Sequence, residues 1–224
     1  MIELRRLRKE YRTRTGVKVV ADDIDAVFGP RETVGLLGRN GAGKSTLLQI
    51  IAGTIDHDGG EVVHAGSVSW PVGFAGAFHA DLTGAQNTKF VARVYGVDGE
   101  DLADFVEDFA ELGSHFHMPF RTYSSGMRSR LSFGVSMGID FDHYLMDEVT
   151  AVGDQSFRAK CEAVLLNRMS TRGAVMVTHS MPQVQRLCDR VGVLDRGRLH
   201  MFDDVEEGLA FHAAVMAAES PDVA

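Results

Sequence analysis

The chain has 224 residues and a mass of 24.4 kDa, which suits one large domain at the usual ~100–200 residues each. Its 45% hydrophobic and 24% charged residues are the balance of an ordinary globular protein and exclude the disordered and fibrous classes. The formal charge of −8 argues against a general nucleic-acid binder, which needs cations to neutralise phosphate. No run approaches the ~18 apolar residues of a membrane-spanning helix.

In chain order, Met1 to Lys9 is charged where a secretion signal would be apolar. Residues 1–20 carry seven basic side chains, Arg5, Arg6, Arg8, Lys9, Arg12, Arg14 and Lys18, against Glu3 and Glu10. They read as solvated strand faces or as a basic edge facing nucleotide or anionic lipid. Four short apolar runs, Val34-Gly-Leu-Leu, Tyr144-Leu-Met, Ala174-Val-Met-Val and Val191-Gly-Val-Leu, predict strands covered on both faces in a parallel sheet. Helical patterns separate them at Lys44 to Ala52, through Phe157, Cys161, Val164 and Leu165, and at Pro182 to Cys188. That alternation predicts an α/β sheet with crossover helices.

Between about Asp81 and Asp140 helix signals replace strand signals. Thr83 and Gln86 have the spacing of a capping box, and Leu102, Phe105, Val106, Phe109 and Leu112 form a helical stripe. A last amphipathic helix is expected through Val205, Leu209, His212 and Met216, in a tail with six acids and no Lys or Arg after Arg198. The expected organisation is one domain over 1–224, with a sheet core at about 1–80 and 141–224 and a helical subdomain at about 81–140. Cys161 and Cys188 lack C-x-x-C spacing, so neither a disulfide framework nor a zinc site is expected and a reducing compartment fits.

The strongest chemical signal is Gly38-Arg-Asn40-Gly41-Ala42-Gly43-Lys44-Ser45-Thr46, a G-x-x-x-x-G-K-[ST] string between a predicted strand and a predicted helix. Glycines let the backbone wrap a phosphate with its N–H groups inward, the helix N-terminus adds its positive end, and Lys44 reaches the β- and γ-phosphates. Ser45 would place its hydroxyl on Mg²⁺. Asp147 and Glu148 follow an apolar strand, at the sheet edge where α/β proteins bind ligands. Two acids there read as a helix cap, or as a magnesium ligand (Asp147) beside a residue that orients or deprotonates water (Glu148). Ser124, Ser125 and Gly126 open a helix through Leu131 and Val135, as a plain N-cap or as an anion-binding start. His179 closes a further buried strand, as a structural residue or as a donor to a γ-phosphate oxygen.

These four elements in this order resemble the nucleotide-binding domain of ATP-binding cassette (ABC) transporters, a P-loop NTPase core of mostly parallel sheet with a helical subdomain. The resemblance implies that Gly38 to Thr46 are the Walker A loop, Asp147 the Walker B magnesium acid, Glu148 the catalytic carboxylate and His179 the switch histidine. It further implies that Tyr123 to Met127 are the signature, Ala151-Val-Gly-Asp154 the D-loop, and Tyr11 an aromatic ring stacked on adenine. Ser125 and Met127 depart from the signature LSGGQ, and His79 stands where a Gln near Mg²⁺ is usual, which makes it a candidate metal ligand with Ser45 and Asp147. Imidazole ordinarily titrates near neutrality, so His79 would make activity vary with pH.

The resemblance also implies a head-to-tail homodimer in which Ser124 and Gly126 of one copy close over ATP held by Lys44 of the other. The segment from Ser69-Trp70-Pro71 through His79 to Gly84, then Asn87 to Gly96, the Tyr11 to Gly16 opening, the Tyr123 to Met127 signature and the run from Asp147 to Asp154 resemble the ATPases of capsular-polysaccharide exporters. The expected partners are thus a second copy and an integral-membrane permease, at the cytoplasmic face of the inner membrane, with ATP and Mg²⁺ and no nucleic acid. The chain ends without the added carbohydrate-binding domain expected of O-antigen ATPases. Alternatives are an O-antigen or teichoic-acid exporter ATPase, a soluble ABC-type clamp acting on nucleic acid, and a P-loop kinase. Trp70 reads as a packed strand residue, or as a sugar-stacking ring.

Overall fold

The computed structural model describes residues 1–14, 16–73, 76, 78–148 and 155–218. Two compact units emerge: Met1–Pro71, Asp142–Glu148 and Met169–Ala224 form the first, and Val72–Phe141 with the segment ending at Arg168 the second.

The first unit holds two sheets. β1 (Ile2–Thr13), β2 (Gly16–Phe28) and β4 (Gly59–His64) make an antiparallel sheet in the order β2-β1-β4. The second sheet has the order β5-β6-β7-β3-β8-β9, from β5 (Val68–Pro71), β6 (His143–Asp147), β7 (Gly173–Val177), β3 (Thr33–Gly38), β8 (Arg190–Asp195) and β9 (Arg198–Phe202). Its pairings are parallel except β8 with β9. β3 is buried at all six positions and β7 at all five, as strands covered on both faces must be. Leu36, Val177 and Asp147 lie level across β3, β7 and β6, so these strands present their carboxyl ends at one edge.

Helix α1 (Lys44–Ile51) fills the core of this unit. Leu47, Leu48, Ile50 and Ile51 pack with Ile2, Leu4, Leu7, Ile24 and Phe28 of the antiparallel sheet and with Val34, Leu36, Leu145 and Val175 of the other. Each such side chain contributes about 1.5–3 kcal/mol on burial, and this ties the loop before α1 to a rigid base. α6 (Met181–Leu187) and α7 (Val205–Ala217) complete the unit. α7 turns Gly208 onto Val191, with Phe211 packed on His200 and Phe202. Met216, expected on the apolar stripe of α7, is 43% exposed.

The second unit contains α2 (Gly84–Tyr95), α3 (Gly99–Ala110), α4 (Ser125–Gly138) and α5 (Gln155–Met169), with 3₁₀ turns at Gly113–His117 and Phe120–Thr122. Thr83 and Gln86 form the expected capping box. Leu102, Val106, Phe109 and Leu112 are buried as the stripe requires, whereas Phe105 is 38% exposed. The unit differs from the expected subdomain by starting at Val72 and by taking in α5. Aromatic packing explains the latter: Phe109 stacks on Phe133 and meets Phe157 edge-on. Arg130 sits 4.2 Å from the Phe157 ring, and Lys160 donates to Phe109 O.

Candidate nucleotide site

β3 leads directly into a loop whose shape depends on two glycines. Gly38 has φ +144° and a Cβ there would lie 2.4 Å from Leu194 O; Gly43 has φ +108° and a Cβ would lie 2.5 Å from Val20 Cγ1. No other residue allows both the positive φ and the approach. The loop is braced by Ala42 N–H donating to Arg39 O, and α1 begins at once with Leu47 N–H donating to Gly43 O. A helix leaves its first N–H groups without intrahelical partners, and the first turn of α1 carries no acid to compete for them.

Lys44 is only 7% exposed, and its Nζ donates to Gly38 O at 2.8 Å and Arg39 O at 2.9 Å. Burial holds its ammonium below the ordinary lysine value, opposed by the fields of Glu148 and Asp147. Asn40, Gly41 and Ala42 form the outer limb of the loop, and Ser45 and Thr46 the first turn of α1. Ser45 is exposed and Thr46 half-buried.

Asp147 ends β6, half-buried. Glu148 follows with φ +52°, a left-handed conformation that costs a non-glycine residue about 1–2 kcal/mol. Its N–H donates to Val177 O, and its Oε1 lies 2.9 Å from Nε2 of His179, just beyond β7. Thr178 Oγ1 accepts from Ser180 N–H and donates to Gln183 Oε1, which fixes the turn carrying His179. The backbone strain at Glu148 thus aims a carboxylate at an imidazole.

Strand β2 flanks the loop through Val20 on Gly43, and Lys18 Nζ lies 3.9 Å from a Cβ placed on Gly41. Tyr11 is 37% exposed, with Lys9 Nζ 5.1 Å from its ring centroid. His212 on α7 was legible only as a helix-face residue. Burial, and then the charge of Lys44, hold its imidazole below the ordinary value.

The remaining sequence candidates lie in the second unit. Ser124 caps α4, its Oγ accepting from Met127 N–H at 3.3 Å, with Ser125 and Gly126 in the first turn. His79 is held by the fully buried Asn87, whose Oδ1 accepts from His79 N–H and whose Nδ2 donates to His79 O. His79 Nδ1 accepts from Asp81 N–H at 3.3 Å, so the neutral ring carries its proton on Nε2. The expected D-loop, Ala151 to Asp154, lies outside the described residues. Trp70 is 8% exposed in β5, as a packed strand residue is.

The sequence matches the ABC transporter family over residues 21–151. It is 41% identical over 212 residues to the capsule polysaccharide export ATP-binding protein CtrD of Neisseria meningitidis serogroup B, covering 95% of this chain and 98% of the relative. It is 45% identical over 213 residues to the polysialic acid transport ATP-binding protein KpsT of Escherichia coli, covering 94% and 97%. Among solved structures, the dimeric ATP-binding cassette MJ0796 in a post-hydrolysis state bound to ADP and Pi matches with a TM-score of 0.75 at 21% identity. That match covers 90% of this chain and 98% of the other.

Proposed function

We infer that this chain, which belongs to the ABC transporter family, is the ATP-hydrolysing subunit that powers export of a polysaccharide, most specifically a capsular one, through a separate membrane permease. The observation that carries the substrate class is the nearly full-length similarity to capsule and polysialic acid ATPases. Among the described residues no helix is long and apolar enough to cross a membrane. In this reading a separate permease supplies the passage, and this chain works against its cytoplasmic side.

The loop fits a phosphate chain: its glycines admit close backbone approach, the acid-free start of α1 offers N–H groups, and Lys44 offers the charge. Ser45 and Asp147 would be the oxygen donors for Mg²⁺, a hard cation that takes such ligands, and the bound metal would supply stabilisation of charge on the phosphates. In hydrolysis Glu148 takes a proton from the attacking water. His179 donates Nε2–H to Glu148 Oε1, which positions that carboxylate and keeps a second proton carrier at hand. Tyr11 leaves one ring face for adenine while Lys9 occupies the other.

His79 enters this scheme as a hydrogen-bond donor and not as the metal ligand its position suggested. Its neutral ring carries the proton on Nε2, and magnesium favours oxygen over imidazole nitrogen. The capped start of α4, with Ser124, Ser125 and Gly126, serves a phosphate held by a second copy. Two chains then form two complete sites in a two-fold head-to-tail homodimer. ATP binding closes the pair, hydrolysis loosens it, and the permease takes up the motion.

The test is purification from solubilised membranes together with a genetic knockout. Recovery with a polytopic permease, and loss of surface polysaccharide with polymer retained inside the cell, are expected. Recovery of nucleic acid instead, with surface polymer intact, would contradict the assignment.

A further inference from the structure

We propose that Lys18 is a phosphate-binding residue of the nucleotide site, a second cation that meets the α- and β-phosphates from the outer limb of the loop. The proposal deepens the reading of this edge as an ATP site and rests on it.

The lie of β2 beside the loop makes the case. Val20 packs against Gly43 and Lys18 Nζ lies 3.9 Å from a Cβ placed on Gly41, with the register shift of the hairpin falling at Val20, as at a bulge. The intervening Val19 points the other way, with its Cγ1 3.0 Å from a Cβ placed on Gly197. Lys18 thus leaves the strand opposite Val19, and its side chain reaches the loop at Gly41. It also pairs directly with Tyr11 across the hairpin, whereas Arg12 pairs with Val17; directly opposed residues share a face. Tyr11 and Lys18 therefore stand on the loop-facing side, with Arg12 on the other.

Charge accounting leaves Lys18 available, as it does Arg12, and the facing geometry separates the two. Lys9 pairs with Asp58, Arg8 with Asp23, and Arg5 with Glu3 and Glu61. Among the described residues Lys18 has no such acid partner, so its charge is available to an anion. A nucleotide with its base at Tyr11 and its terminal phosphate at Lys44 must pass its inner phosphates along the limb that Lys18 overhangs. ADP keeps those phosphates, so both ATP and ADP should use the residue.

Calorimetric titration of ATP and of ADP at low salt tests this with the full chain and its Lys18→Ala, Lys18→Arg and Arg12→Ala variants. Lys18→Ala should weaken both nucleotides by a similar factor, about threefold to tenfold for a solvent-exposed charge contact, and the gap should narrow as salt is added. Lys18→Arg should recover most of the affinity, and Arg12→Ala should stay within about twofold of the parent. An unchanged Kd in Lys18→Ala, an equal loss in Arg12→Ala, or a loss confined to ATP would each overturn the proposal. Failure of the parent chain to bind either nucleotide would instead overturn the reading of the site itself.

Discussion

His179 Nε2 stands 2.9 Å from Glu148 Oε1, joining the residues that follow two adjacent parallel strands. The contact depends on the left-handed φ of Glu148 and on the Thr178 turn that holds His179. It makes the carboxylate an oriented base, and Glu148→Gln separates that role from binding. Hydrolysis should fall by at least ~100-fold, the usual scale for a lost general base, while ATP affinity is kept. Phosphate release and calorimetry measure the two. A variant that hydrolyses at the parent rate would remove Glu148 from the chemistry.

Lys44→Ala should weaken ATP binding by at least about tenfold, because a charge-assisted hydrogen bond to phosphate is lost. Two loop carbonyls also lose their donor, those of Gly38 and Arg39, so the loop itself should loosen. Unchanged affinity by calorimetry would contradict the placement of the phosphate chain.

His143 predicts a pH dependence of stability that is independent of the nucleotide. It is 1% exposed, its Nε2 donates to Gly29 O at 3.1 Å, and its buried Nδ1 has no partner among the described residues. Burial holds the imidazole below its ordinary value, opposed by the Gly29 contact. The unfolded chain therefore takes up the proton first, near pH ~6.5. The stability this residue contributes is present above that pH and is lost as the pH falls through the folded-state value. The urea midpoint should drop between about pH 7.5 and about pH 5.5, and His143→Gln should flatten the slope. Identical slopes in the two proteins would contradict the prediction.

Cys161 and Cys188 are buried, which pushes each thiol up to about 12. The thiolate is the reactive form, so neither residue should react with a maleimide at neutral pH in the native protein, and both should react in denaturant. A native thiol labelled at the denatured rate would contradict this.

Continuous apolar runs made β3, β6, β7 and β8 legible, because strands covered on both faces need no alternation. The loop from Gly38 to Thr46 was legible because phosphate wrapping demands that glycine spacing. The antiparallel sheet was harder to read. β1 shifts register between Leu4 and Glu10, and the positive φ of Arg6 and Asp23 breaks the period-two pattern that marks a half-buried strand. Lys18 was hidden for the same reason: without the pairing of β2, its charge reads as one more solvated cation. The inclusion of α5 in the helical unit followed from Phe109 and Phe157, whose contact joins residues far apart in sequence. His79 was found from the resemblance, which puts a Gln near Mg²⁺ at its position, but its tautomer required the Asp81 hydrogen bond.

The measurement that tests the shared site most directly is ATP hydrolysis by a mixture of two inactive variants, Lys44→Ala and Ser124→Arg. The first loses the phosphate lysine and the second blocks the start of α4, yet a mixed dimer would join an intact loop to an intact helix start at one of its two sites. Each variant alone should be inactive, and the mixture should regain up to about a quarter of parent activity, since half of randomly assorted dimers are mixed. A mixture no more active than the sum of its parts would contradict a site built from two chains.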